Sequence, residues 1–303
     1  MKKVAIQGIP GAFHEIAARS YFSPEHIEIV PCRTFPGLFS MVAADKSMFG
    51  ISAVENSLAG SILTNLTLLK DSGLTIIGEC KLRISMNMMA LPGQTAGEIG
   101  EVYSHPVALM QCGEYFSRHP WMKVSESDDT AMSAMDISIK RARGKGVIAS
   151  SLAARHYNLN IIDAGIETNK RNFTRFFILS GNSDCSPLKE VEDAGTGKAT
   201  LVFTLRHKQG MLSEVLTMLA AHGCNLMMIQ SNPVIGHEWE YLFYIDLVFS
   251  HYSLFGGAMD KMQTMCNDLK ILGIYHEGRV YSEEEAPLYE TIDTEQIIKQ
   301  WNS

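Results

Sequence analysis

The stretch at positions 80–93, "CKLRISMNMMALPG", decides how the chain is divided. It sets two apolar, strand-like runs nearly back to back, "LTIIGEC" ending at Cys80 and "RISMNMMA" ending at Ala90. Strands in such direct succession point to a crossover from one α/β lobe into a second. Outward from this point the pattern is regular on both sides. Before it, "KVAIQ" (3–7), "HIEIV" (26–30) and "FGISAV" (49–54) read as strands, between helical runs at 14–22, 36–46 and 61–73. After it, "EVYS" (101–104), "GVIAS" (146–150) and "NIIDA" (160–164) alternate with helical runs at 106–116 and 129–142. Strand–helix alternation predicts parallel α/β sheets, and two lobes leave a cleft between them where a small ligand binds.

Residues 182–197, "NSDCSPLKEVEDAGTG", are polar with Pro and Gly and read as a linker. A compact pattern follows: strand (198–207), helix (211–223), strand (224–234), strand (241–249), a helix over roughly 255–272, and a closing strand "GIYHEGRVY" (273–281). The order βαββαβ predicts a ferredoxin-like unit. The expected division is therefore a two-lobed region at 1–181, a linker at 182–197, the ferredoxin-like unit at 198–280 and an acidic tail at 281–303, a loose helix or disordered.

Composition narrows the class. The 303 residues are 46% hydrophobic and 19% charged, enough apolar content for a large core. A net charge of −7 supplies no global basic field for nucleic acid or anionic lipid. No run approaches eighteen apolar residues, and the short apolar start in "MKKVAIQGIPG" is below signal-peptide length, so a cytoplasmic protein is expected, with no membrane partner. The six cysteines are scattered without C-x-x-C or metal-ligand spacing, and no metal is expected.

Four stretches carry polar groups where chemistry is expected. In "IQGIPGAFHE", Gly8 and Gly11 sit between a strand and a helix, suited to an anion on the helix N-terminus or to a simple tight turn. In "GISAVENSLAGSILTNL" a buried strand ends in Glu55, Asn56 and Ser57, at the strand end where α/β folds bind ligands; helix capping by Ser57 or Ser61 is the alternative. In "YSHPVALMQC", Gln111 lies two turns past Ser104 and leans back toward it, placing both on one cleft wall. His105 there reads as a base or as a cap. In "NFTRFFILS" (172–180), alternation puts Asn172, Thr174 and Phe176 on one face and Arg175 on the other. A buried guanidinium needs an anion, either a ligand or a carboxylate such as Glu55, Glu15 or Glu167.

Together, "QGIPGAFHE.AA", "VENSLAGSI", "SHP....QC", "ASSLAA", the "TRF" triplet at Thr174–Phe176 and the C-terminal "WEYLFYID" resemble prephenate dehydratases over essentially the whole chain. The resemblance implies two α/β lobes arranged like a periplasmic binding protein, followed by an ACT regulatory domain. It also implies conversion of prephenate to phenylpyruvate, a lyase reaction without cofactor or metal. Thr174, Asn56, Ser104 and Gln111 are carried over as active-site groups with Glu55 beside them, and Arg175, Phe176, Ser57 and Asn172 are expected to hold substrate, Arg175 pairing with a carboxylate. The ACT half implies homo-oligomers and L-phenylalanine as effector, at Gly210, Leu212, Asn225, Leu226, Gln230 and Ser231. Its motifs depart from the family pattern: Gly210-Met211-Leu212-Ser213 stands for Gly-Ala-Leu-Val, and Gln230-Ser231-Asn232-Pro233 for Glu-Ser-Arg-Pro. Arogenate dehydratase and a noncatalytic amino-acid sensor are the competing readings.

Overall fold

The computed structural model describes residues 1–234, 236 and 240–283. Its first sheet runs in the order Val280–Tyr281, Thr75–Arg83, Phe173–Ser180, Met48–Asn56, Lys2–Gln7, Ile27–Cys32, with the short strand Gly60–Ser61 paired onto Met48–Asn56. Helices flank it with local stops and starts that the sequence supplies. Thr34 caps Phe35–Ala44 by accepting the Gly37 N–H at 3.2 Å, and Leu63–Ser72 ends where Gly73 turns left-handed at φ 73°. The second sheet has five strands, ordered Asn160–Asp163, Asn87–Ala90, Lys145–Ala149, Glu101–Ser104, Lys123–Glu126.

Between the strands Thr75–Arg83 and Asn87–Ala90 the chain crosses from the first sheet to the second, at the stretch that predicted it. It returns through Phe173–Ser180, which inserts between Met48–Asn56 and Thr75–Arg83 and pairs antiparallel with both. The expected parallel arrangement is thus broken in the first sheet by this strand and by the short Gly60–Ser61, and in the second by Asn87–Ala90, which runs antiparallel to both its neighbours. A chain re-entering from the second lobe meets its neighbours at their cleft end and must run back against them. Its first residues therefore lie beside the last residues of Met48–Asn56, with Thr174 opposite Asn56 and Arg175 opposite Glu55. A bulge between Arg175 and Phe176 interrupts this ladder, a feature common beside functional sites.

The C-terminal sheet is antiparallel throughout, ordered Cys224–Pro233, Tyr241–Phe249, Gly197–Thr204, Asn267–Tyr275. Helices Met211–Ala221 and Tyr252–Met265 pack on one face through Leu201, Ile245 and Phe255. The helix expected to reach 272 stops at Met265, because the chain from Asn267 is needed as the strand that closes the sheet beside Gly197–Thr204. The stretch read as a linker contains the helix Leu188–Ala194, whose Val191 is fully buried in the same core.

The other face of this sheet rests on the first lobe. Val202, Tyr244, Leu272 and Tyr275 share one core cluster with Leu69, Leu74, Phe177 and Leu179. Each such side chain, fully buried, contributes about 1.5–3 kcal/mol. At two points the approach is backbone to backbone: a Cβ on Gly273 would overlap the Ile76 carbonyl, and one on Gly278 the Glu79 carbonyl. Residues 284–303 of the expected acidic tail, and Trp239 of "WEYLFYID", lie outside the described residues. Among the described residues no helix is long and apolar enough to cross a membrane, and no cluster of His, Cys, Asp and Glu could hold a metal.

Candidate active site

A cavity of about 470 Å³ opens between the lobes. Its floor is a ring of three hydrogen-bonded side chains, Asn56, Asn172 and Gln111, with Thr174 branching from Asn56. Asn56 Nδ2 donates to Asn172 Oδ1 at 2.8 Å and to Thr174 Oγ1 at 3.0 Å. Asn172 Nδ2 donates to Gln111 Oε1 at 2.8 Å, and Gln111 Nε2 returns to Asn56 Oδ1 at 3.3 Å. Asn56 Oδ1 also accepts the N–H groups of Leu58 and Ala59 at 3.0 and 2.9 Å. These bonds use both amide hydrogens of Asn56. The Thr174 oxygen is an acceptor toward Asn56, so its own hydrogen is left for the cavity.

No Lys or Arg lines the cavity among the described residues. Positive potential comes instead from four helix starts: Phe13–Phe22, Leu63–Ser72, Pro106–Gln111 and Thr130–Lys140 each present their first turn or cap to it. His105 caps the third, its Nδ1 accepting from Val107 at 3.3 Å, which settles the capping role left open above. Asp129 caps the fourth through the Met132 N–H at 2.8 Å, and burial pushes its carboxyl above the usual range. Phe13, Phe35, Ile84, Met86 and Phe176 make the remaining walls apolar.

His14 also lines the cavity, and the sequence reading passed over it. Its Nε2 accepts the Ala53 N–H at 3.4 Å, and its ring packs against Phe176 and Phe35 at 5.0 and 5.6 Å. Burial holds the imidazole down to about 4, so it is neutral near pH 7 with the proton on Nδ1. The available signal was its place in the first turn of the helix after "GIPG".

The structure brings together Thr174, Asn56, Gln111 and Phe176 at the cavity, with Asn172 buried beneath them. It does not bring the others there. Ser104 is fully buried and donates to the Ile148 carbonyl at 2.6 Å, inside the second lobe. Ser57 accepts the Phe173 N–H at 3.0 Å and donates to the Arg171 carbonyl at 3.0 Å, pinning the returning strand. Glu55 and Arg175 point to the opposite face of the sheet. Arg175 Nε donates to Glu79 Oε2 at 2.6 Å and Nη1 bonds Asp246, so the expected pairing with a substrate carboxylate is replaced by buried protein acids. Its carboxylates are not those named from sequence, except Glu55 at 3.7 Å. Gly8 and Gly11, at φ 98° and 95°, form a tight turn tied to the second lobe: Gly11 donates to Glu15 at 2.6 Å, and its carbonyl accepts from Ser150 at 2.6 Å.

In the C-terminal unit, Gly210 is left-handed at φ 87° and starts the helix carrying Leu212, which lines a second cavity of about 320 Å³ with Tyr241 and Phe243. Ser231 lies opposite Phe243 and Gln230 opposite Tyr244 in the sheet register. Asn225 and Leu226 sit toward the other end of that edge strand, opposite Val248 and Leu247. Four of the six expected effector positions are therefore spread along that edge strand, and Gly210 and Leu212 lie at the start of the helix.

A two-lobed α/β cleft with a few convergent polar groups and apolar walls is the site of a protein that takes a small molecule. Residues 4–184 match the family model described as prephenate dehydratase, and the chain belongs to that family. It is 32% identical over 286 residues to arogenate dehydratase/prephenate dehydratase 2 of Arabidopsis thaliana, spanning 90% of this chain and 72% of that protein. The prephenate dehydratase of Arthrobacter aurescens, solved in complex with L-Phe, superposes with a TM-score of 0.80 at 26% identity, covering 95% of this chain and 92% of that one. GqqA, a quorum-quenching acylase, superposes with a TM-score of 0.81 at 28% identity, covering 91% and 98%.

Proposed function

We propose that the cavity converts prephenate to phenylpyruvate, with Thr174 as hydrogen-bond donor to the departing hydroxyl. The observation that supports this reading is the direction of the Asn56–Thr174 bond. With Asn56 donating, the only hydrogen on Thr174 Oγ1 is free for a ligand. In the reaction the bond to the ring carboxylate breaks and releases carbon dioxide. Its electron pair moves through the diene, and the C–OH bond breaks with the pair leaving on oxygen. One proton completes water, and the ring becomes aromatic. Aromatisation supplies the driving force, so no cofactor is needed. The protein must hold the dianion and meet charge growing on one oxygen.

Thr174 is too weak an acid to ionise for this purpose. Its contribution is a fixed donor, with the proton passing through it from water. The helix starts and backbone N–H groups take the retained carboxylate, in a cavity without side-chain cations. The departing carboxylate faces the apolar wall of Phe13, Phe35 and Phe176, because stabilising its charge would oppose its loss. Purified protein incubated with prephenate is expected to form phenylpyruvate, and absence of product overturns the reading. Arogenate in a parallel incubation separates the two substrates, since they differ at one substituent.

We further read the C-terminal unit, residues 198–280, as an ACT domain that binds L-phenylalanine and joins chains into a homo-oligomer. Its βαββαβ topology supports this, as does likeness to a dehydratase solved with L-Phe. Calorimetry tests it: no heat of binding at millimolar L-phenylalanine would leave the unit an assembly element alone.

A further inference from the structure

Arg175 is the centre of a buried charge cluster built from two parts of the fold. Its Nε donates to Glu79 Oε2 at 2.6 Å, its Nη1 to Asp246, and its Nη2 to the Tyr275 hydroxyl at 3.2 Å. Lys198 Nζ donates to both Glu79 oxygens at 3.0 and 2.9 Å. Thr200 Oγ1 lies 2.7 Å from Asp246 Oδ1, to which it donates, and 2.6 Å from the Tyr275 hydroxyl. Arg175 and Glu79 belong to the first sheet; Lys198, Thr200, Asp246 and Tyr275 belong to three strands of the C-terminal sheet. Two cations meet two buried carboxylates, these four side chains being at most 8% exposed, and the more open Glu55 lies 3.7 Å from Arg175 Nη1.

A cluster of this kind is a poor source of stability, because desolvating four charges consumes most of the attraction between them. What it supplies is geometry. The ladder between Phe173–Ser180 and Met48–Asn56 is irregular at the bulge after Arg175. Pairing with Met48–Asn56 therefore shifts just past the hydroxyl that must be placed to within roughly 0.5 Å, while Thr174 and Arg175 stay opposite Asn56 and Glu55 on one side and Leu82 and Lys81 on the other. The guanidinium, held from three directions on the far side of the sheet, fixes the strand at that point.

We propose that Arg175 is a positioning residue for Thr174, and that the C-terminal sheet, through Asp246 and Lys198, holds the catalytic strand in place for the reaction. This rests on the dehydratase reading for its kinetic consequence but not for its geometry, and the two are tested separately. Asp246→Asn keeps the shape and the Thr200 contact while removing one charge. Its kcat with prephenate is expected to fall on the order of tenfold to a hundredfold with KM little changed, as for a small misplacement of a reacting group. In a Thr174→Val background the same change is expected to have no further effect on kcat, because the group it positions is gone. An equal loss in both backgrounds, or wild-type kcat in the single variant, overturns the proposal.

The charge-balanced pair Lys198→Met with Glu79→Gln provides a second variant should Asp246→Asn fold poorly, with circular dichroism and melting temperature as the check and the same cycle applied. A crystal structure of the folded variant reads position directly. Thr174 Oγ1 is expected beyond hydrogen-bond range of Asn56 Nδ2, and retention of the 3.0 Å contact overturns the proposal whatever the wild-type activity. A wild type inert toward prephenate would instead overturn the functional reading, with the crystallographic arm still deciding the positional one.

Discussion

Thr174 and Arg175 are joined by one peptide bond and serve opposite faces of the same strand. The Thr174 hydroxyl accepts from Asn56 at 3.0 Å in the cleft, while Arg175 Nε donates to Glu79 at 2.6 Å in the contact with the C-terminal sheet. Their partners across the ladder divide the same way: Asn56 faces the cavity and Glu55 faces Arg175. The two-residue period of a strand thus lets one short segment act on the ligand and on the rest of the protein at once.

Removing the hydroxyl should abolish the proposed donor and little else. Thr174→Val keeps the branched shape and is expected to lower kcat on the order of a hundredfold to a thousandfold, as for loss of one preorganised donor. Thr174→Ser restores the hydroxyl and should recover most of that loss. Steady-state kinetics with prephenate decide it, and a Val variant within a fewfold of wild type would remove the threonine from the mechanism.

Asn56 sets the direction of the Thr174 bond. Asn56→Asp replaces a donor by an acceptor, so Thr174 turns its hydrogen toward the carboxylate and away from the ligand. The new charge also meets the Leu58 and Ala59 N–H groups, which hold the loop in place. A loss of kcat approaching that of Thr174→Val is expected, together with a lower melting temperature, because the buried Asn172 oxygen loses its donor as well. Unaltered kcat would show that bond direction does not matter.

His14 makes stability depend on pH in a defined direction. The unfolded chain takes up a proton there near 6.5, the folded chain only near about 4. Between these values unfolding binds a proton, so stability falls as pH drops, and the loss is complete below the lower value. The effect is about 3 kcal/mol. His14→Phe keeps the ring between Phe35 and Phe176 and should flatten this part of the profile. Denaturation midpoints at pH 4.0–7.0 for both proteins give the comparison; parallel curves would contradict it.

Gly273 lets the C-terminal sheet approach the first lobe at backbone distance. A Cβ there meets the Ile76 carbonyl rather than the end of a flexible side chain, so the neighbour cannot swing aside. Gly273→Ala is expected to cost about 1–3 kcal/mol, as for an overpacked core. A urea midpoint equal to that of wild type would refute the close docking.

The sequence showed much of this architecture but not its long-range pairings. Helices and strands of the lobes followed from apolar periodicity, and alternation in "NFTRFFILS" placed Asn172, Thr174 and Phe176 on one face. The antiparallel insertion of that segment was not visible, because direction is set by where the chain re-enters the sheet. Nor were the partners of Arg175, which lie 96 residues before it and 71 after it. Ser104 and Gln111 share a motif, yet a nearby carbonyl, that of Ile148, captures the serine, and only a three-dimensional neighbour could reveal that. His14 stands in the first turn of the helix after the glycines, a position that hints at the cleft, but its packing against Phe35 and Phe176 is set by residues distant in sequence.

The shared core of Phe177, Leu179, Val202, Tyr244 and Tyr275 means that the boundary seen by homology is not a boundary for folding. The family match stops at residue 184, in the middle of what packing treats as one body. A truncation there would strip an apolar floor and half of an ion cluster from the piece left behind. Grafting a foreign sensor onto this scaffold would succeed only if the new half also met Glu79, Arg175 and the Ile76 backbone in kind.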